Sequence, residues 1–331
     1  MFSVLVALTS LSFVSRILAA TYDVDVFVYG GTPAGILAAL GAAGEGARVL
    51  LLEPRAGCIG GMMSGGLANT DIGVTTAVIG GRTRAFFEAV TRHYGAAEPL
   101  YDFEPSVALK IFEWQLAQAG SNLSVTVGGR VVALAAGAGA RIASATLADG
   151  STISARVFVD CTYEGALLPL ARVSYAFGRE PASAFGESVA GVLPEPHPTW
   201  EAGHPFTSQG QPWVNISGLA ADGTLLPGVS PAPGAVGSGD EAVQSYGWRV
   251  TWTWNSSNML RPWPRPSSYD PSLYELQLRA ILQRNLTSWS RILGLGTTNE
   301  LPGHSLKMDM NNHYLSQPYR KSAPPAPQHP R

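Results

Sequence analysis

The sequence predicts an α/β fold in which a parallel sheet carries a small antiparallel insertion and is followed by a mixed α+β region. Three observations predict it. A β-branched run ends in a glycine turn that opens an Ala- and Leu-rich helix, and a second apolar strand follows at once. Further along, short alternating segments are separated by small-residue turns, the pattern of an antiparallel excursion. Composition also shifts, with Gly clustering early and Pro accumulating after about position 190.

At 331 residues and 46% hydrophobic content the chain can bury the core of two ordinary domains or one large one, which excludes whole-chain disorder. A net charge of -2 with 14% charged residues leaves no broad basic face, so nucleic acid is not an expected partner. Two cysteines, Cys58 and Cys161, are too few for a disulfide framework or a Cys-rich zinc site; one bridge and two free thiols both stay open. The histidines show no ligand spacing, so no metal site is expected.

Residues 1–20 read as a secretory leader: Phe2 to Val14 is apolar apart from Ser and Thr, and Arg16 precedes Ile17-Leu18-Ala19-Ala20. An uncleaved anchor or a buried first helix is the competing reading. The run falls short of the roughly 18 apolar residues of a membrane span, and no later stretch reaches it. Four sequons, at Asn122, Asn215, Asn255 and Asn285, agree with a secreted, N-glycosylated chain.

Val24 to Tyr29 is the first strand, and Gly30-Gly31-Thr32-Pro33-Ala34-Gly35 the turn after it. Pro33 is tolerated in a first helical turn, and Ile36 to Ala43 continues the helix until Gly44 and Gly46 end it. Ala47 to Leu52 forms the second strand, closed by Glu53. The order strand, glycine turn, helix, strand, acid is Rossmann-like. A helix N-terminus offers unpaired N–H groups to a pyrophosphate, and the acid can accept ribose hydroxyls. Thr32 replaces the second glycine of the strict fingerprint and is expected to narrow the room for phosphate. The competing reading is a glycine turn that serves only helix–strand packing.

A second glycine-dense loop follows, Pro54-Arg55-Ala56-Gly57-Cys58-Ile59-Gly60-Gly61-Met62-Met63-Ser64-Gly65-Gly66-Leu67, then Gly80-Gly81-Arg82-Thr83-Arg84 before a helix carrying Phe86, Phe87 and Val90. Val107 to Ala117 has helical spacing and Leu123 to Val127 alternates as a strand. Val131 to Leu134 and Arg141 to Leu147 flank a turn, and Asp149-Gly150 turns into Ala155 to Val159. Val157-Phe158-Val159-Asp160-Cys161-Thr162-Tyr163-Glu164-Gly165, Gly178-Arg179-Glu180 and Glu187 to Val192 follow.

These segments, in this order, resemble the FAD-dependent oxidoreductases of the glutathione-reductase-like fold, over most of the chain. The resemblance implies bound FAD, contacted by Gly30, Gly31, Thr32, Pro33, Ala34 and Gly35, then by Glu53, Pro54 and Arg55. It further implies contacts from Gly60, Gly61, Met62, Met63 and Ser64, from Arg130 and Val131, and from Cys161, Thr162 and Gly165. The domains expected are an FAD-binding unit over 21–178, a substrate or cap unit over 179–312 and a Pro-rich tail over 313–331.

In the second unit, about 180 to 233 is rich in Pro, Gly and polar residues and reads as loops. Tyr246 to Trp254 alternates strictly, with the aromatic side read as core and Arg249 on the other, where it would attract a carboxylate or reduced flavin or simply face solvent. Leu273 to Leu282 is helical in spacing. Lys307-Met308-Asp309-Met310-Asn311 resembles a family strand lying toward the flavin; Lys307, Asp309 and Asn311 share one side and either hold a polar substrate or form a salt-bridged strand face. Arg249, Lys307, Asp309 and Asn311 are the catalytic candidates. The expected activity is hydride transfer from a small organic substrate to flavin. Family members continue beyond the point where Ser322 to Arg331 turns Pro-rich, so a C-terminally truncated member is expected, and a non-catalytic secreted glycoprotein keeping the nucleotide fold is the second reading. Gly186-Glu187-Ser188-Val189-Ala190 falls one glycine short of a hydrolase elbow.

Overall fold

The computed structural model describes residues 19–67, 70, 72, 76–193, 217–227, 234–243, 249–253, 256, 265–283, 285, 287, 298–301 and 305–309. Residues 1–18 of the leader, Asn215, Asn255 and Asn311 lie outside the described residues, as do Tyr246, Gly247, Trp248 and Trp254 of the aromatic strand. Among the described residues no helix is long and apolar enough to cross a membrane.

The first unit is an α/β sheet of six strands. β1 (Thr21–Tyr29) enters the glycine turn, α1 (Pro33–Gly44) returns along the sheet, and β2 (Val49–Glu53) pairs parallel to β1 with Phe27 opposite Leu50 and Val28 opposite Leu51. α1 buries Ile36, Ala39, Leu40 and Ala43, the i, i+3, i+4, i+7 stripe that one helix face supplies. Every residue of β2 is buried, as expected of a parallel strand covered on both faces.

α2 (Gly81–Tyr94) and α3 (Pro105–Ala117) cover the same face as α1. Phe86 of α2 stacks on Phe112 of α3 at 4.6 Å and meets Phe103 edge-on at 5.6 Å. Full burial of one such ring stabilises by roughly 1.5–3 kcal/mol. Gly95 ends α2 in the left-handed region at φ 63, with its N–H donated to the Arg92 carbonyl.

β3 (Leu123–Val127) extends the parallel set beside β2. β4 (Val131–Ala136), β5 (Ile142–Leu147) and β6 (Thr152–Asp160) then run as an antiparallel meander, and β6 closes against β1 in parallel register. The spatial order is β3-β2-β1-β6-β5-β4, so the antiparallel excursion forms the outer edge of the main sheet. A second core fills the opposite face with Phe27, Tyr29, Leu50, Leu52, Ile153 and, from α4 (Leu167–Leu170), Leu167.

A separate sheet of order β7-β9-β8 combines β7 (Arg249–Thr253), β8 (Thr298–Leu301) and β9 (Ser305–Asp309). The helix expected from Leu273 begins as a tight turn over Pro271–Tyr274 and continues as α5 (Glu275–Gln283). Asp270 caps that turn by accepting the Ser272 N–H at 2.9 Å. The hydrolase-like pentapeptide lies among turns between Pro181 and Ala190, where no strand precedes it.

Candidate functional site

Three segments converge at the carboxyl end of β1: the turn into α1, the loop after β2 and the exit of β6. Gly30 has φ 107, and a Cβ there would stand 2.8 Å from the Cys161 carbonyl and the Thr162 nitrogen. A side chain at Gly35 would overlap the Gly30 carbonyl oxygen, so α1 rests directly on the turn. Glycine at these two positions is a packing requirement, and it brings the N-terminus of α1 up to the sheet edge.

Thr32 is 6% exposed and caps α1: its hydroxyl accepts the Gly35 N–H at 3.2 Å and donates to the Cys161 carbonyl at 2.8 Å. The threonine thus ties α1 to the end of β6 where a second glycine would leave the turn bare. Pro33 has no N–H, and the Ala34 N–H in the first turn has no acceptor within the helix.

Glu53 is 4% exposed, yet its carboxylate borders the cleft between the three segments. It accepts the Gly31 N–H at 2.7 Å and the Arg55 N–H at 2.9 Å. A carboxylate with two backbone donors keeps lone pairs for two further hydroxyls, which is what a ribose offers.

The β2 loop is pinned to the same point. Gly60 donates its N–H to the Gly31 carbonyl at 2.8 Å, and Phe112 leaves no room for a side chain there, with 2.9 Å to a Cβ. At the β6 exit the Asp160 carboxylate accepts the Thr162 N–H at 3.0 Å, the Thr162 hydroxyl at 2.7 Å and the Leu167 N–H at 2.7 Å, which fixes the 160–167 turn. Tyr163 projects from that turn and accepts the Met62 N–H at 2.8 Å.

The resulting cleft has a volume of about 250 Å³. Of the residues expected to hold a dinucleotide, Gly30, Thr32, Glu53, Pro54, Arg55, Gly61, Arg130 and Thr162 line it. Gly31, Gly60 and Cys161 stand behind that surface as backbone partners of Glu53, Gly31 and Thr32 respectively. Pro33, Ala34 and Gly35 form the first turn of α1; Met62, Met63 and Ser64 continue the β2 loop away from the lining, and Gly165 lies beyond Tyr163 in the β6 turn. Val131 is a core residue whose N–H is donated to the Tyr29 hydroxyl at 3.2 Å.

Tyr29, Cys58, Tyr163, Glu164 and Ala166 also line the cleft and were not expected from the sequence. Tyr29 carries no local signal, because its partner Val131 is remote in the chain; the DCTYEG segment holding Tyr163, Glu164 and Ala166's neighbours was visible, but not the direction of its side chains. Cys58 and Cys161 are unbridged in this structure. Burial, with the Asp160 charge adding to it, pushes the Cys161 thiol above its ordinary value.

Of the catalytic candidates, the register sets Arg249 opposite Asp309 and Thr251 opposite Lys307. The backbone of β7 passes beside the turn Met63–Leu67 that continues the β2 loop.

The donor set and the carboxylate fit an adenine dinucleotide: a helix N-terminus with an open amide, two guanidinium-bearing residues, Arg55 and Arg130, on the lining, and a buried acid at ribose reach. Among solved structures, PqsL, a probable FAD-dependent monooxygenase from Pseudomonas aeruginosa, aligns at 16% identity and TM-score 0.36 over 48% of this chain and 48% of that one. L-proline dehydrogenase from P. horikoshii aligns at 14% identity and TM-score 0.36 over 50% of this chain and 59% of that one. THI4 of Thermovibrio ammonificans aligns at 21% identity and TM-score 0.34 over 50% and 70%. The aligned region spans about half the length of the first of these structures. No curated protein matches the chain. The sequence model of the FAD dependent oxidoreductase family matches residues 25–328, nearly the whole sequence. The chain therefore belongs to the FAD dependent oxidoreductase family, and its cofactor is FAD.

Proposed function

We propose that this protein is a secreted oxidoreductase in which FAD, held by the 21–178 unit, oxidises a small organic substrate presented by the 179–312 unit. One observation carries the cofactor half of this reading: the Glu53 carboxylate, fixed by the Gly31 and Arg55 N–H groups at the mouth of the β1–α1 crossover. Bound there, the flavin supplies the hydride-accepting ring. The protein's own part is to fix the adenosine end through Glu53 and to balance the pyrophosphate charge through Arg55, Arg130 and the α1 amides.

Arg249, Lys307, Asp309 and Asn311 are the residues we assign to substrate. The backbone register that sets Arg249 opposite Asp309, and the passage of the β7 backbone beside the Met63–Leu67 turn, support that assignment. Secretion rests on the leader and the sequons, of which Asn122 and Asn285 are exposed.

Expression of the full chain in a secretory host tests both halves. The expected product is a yellow protein whose flavin absorbance bleaches anaerobically with one member of a panel of sugars, amines and hydroxy acids, and whose mass falls on glycan removal. A colourless, folded protein that takes up no added FAD would establish the non-catalytic reading instead.

A further inference from the structure

Tyr163 lines the cleft from the β6 exit. Its hydroxyl reaches from the β6 exit to the β2 loop and accepts the Met62 N–H at 2.8 Å. The ring lies against Gly61, where a Cβ would come within 3.1 Å and 3.2 Å of two ring carbons and closer still to the hydroxyl oxygen. Only glycine lets the loop pass under the tyrosine. Both Gly61 and Tyr163 line the cleft that Gly30 and Thr32 also line.

A phenol that accepts one N–H still has its own proton to donate. No described residue takes that proton. Partial burial, against the Met62 N–H and with the nearby Glu53 and Glu164 charges adding to it, holds the hydroxyl above its ordinary value, so the donor is intact at neutral pH. The remaining charge on the lining is Glu53 and Glu164 against Arg55 and Arg130. Glu53 is already engaged by two backbone N–H groups, and the N-terminus of α1, whose turn residues Gly30 and Thr32 share the lining with Tyr163, favours an anionic group in the cleft.

We infer that Tyr163 is a positioning residue for FAD: it holds the Gly60–Met63 loop to the β6 exit and donates its hydroxyl proton to a phosphate oxygen of the cofactor. The inference rests on the proposed dinucleotide reading of the cleft.

The test compares the full chain with Tyr163→Phe and Tyr163→His, titrated with FAD, ADP and adenosine. Loss of a hydrogen bond to a charged acceptor predicts FAD and ADP binding weaker by roughly ten- to a hundredfold in Tyr163→Phe. Adenosine affinity is expected to stay at the wild-type value, the melting temperature of the ligand-free protein to fall only slightly with the lost Met62 contact, and Tyr163→His, which keeps a ring N–H donor, recovers part of the ADP affinity. A merely structural role would weaken all three ligands together, adenosine as much as ADP, overturning the inference. Equal or tighter FAD binding by Tyr163→Phe overturns it too. Failure of the wild-type chain to bind either FAD or ADP would instead overturn the reading of the cleft.

Discussion

Replacing Gly30 and Gly41 one at a time by alanine separates packing at the crossover from helix propensity. At Gly30 the backbone sits at φ 107, where an L side chain costs roughly 1–2 kcal/mol. The new Cβ would also meet the Cys161 carbonyl and the Thr162 nitrogen at 2.8 Å, so the β1–α1 turn and the β6 exit must part by about 0.6 Å to reach ordinary contact at 3.4 Å. Backbone atoms cannot rotate away, and overpacking of this kind costs roughly 1–3 kcal/mol. The two together predict a loss of about 2–5 kcal/mol. Gly41 lies in the interior of α1, and its Cβ would approach only Arg82 Nε at 4.0 Å. Alanine there is expected to stabilise by about 0.5–1 kcal/mol. Urea unfolding of the two variants beside the parent, at matched FAD, measures both values. If Gly30→Ala unfolds at or above the parent midpoint, the close approach of turn to β6 is not what holds the crossover, and the argument for the cleft fails with it.

Glu53→Gln replaces one carboxylate oxygen by an amide that cannot accept the N–H facing it, and leaves a backbone donor unpaired. A loss of about 1–3 kcal/mol in stability of the ligand-free chain is expected, read by urea unfolding, with weaker FAD binding in a fluorescence titration. Tyr94 is held at about 12, chiefly by burial, although the Glu104 N–H it accepts works the other way. A folded value raised above the ordinary 10 means that the tyrosine's contribution is complete below pH 10 and is lost as pH rises toward 12. The unfolding midpoint should fall across that window in the parent and fall less in Tyr94→Phe; identical profiles would refute the assignment.

Local order was readable wherever one segment carried its own signal. The turn Gly30 to Gly35, the stripe Ile36, Ala39, Leu40, Ala43 and the unbroken apolar run Val49 to Leu52 each state their conformation within a few residues. So do the caps: Pro33 in the first turn of α1 and Gly95 after α2. The Gly60-Gly61 loop was legible as a loop, and its likeness to a family supplied the expectation of a flavin. Thr32 shows the boundary of such reading. Read from the sequence as narrowing the room for phosphate, it lines the cleft and also caps α1 and holds the Cys161 carbonyl, a partner more than a hundred residues away that no local pattern announces.

What the sequence by itself determined, then, is the alternation of strands and helices, the acid at the end of β2 and the family, because these depend on periodicity, turn chemistry and recurrent motifs. Tertiary structure decided which side chains meet: Tyr29 with Val131, Tyr163 with Met62, Glu53 with Gly31 and Arg55. It also decided that the antiparallel excursion joins the main sheet at β6, beside the cleft. A hydrogen bond between distant residues is set by how the sheet and its covering helices pack, and no neighbouring residue in the chain announces it.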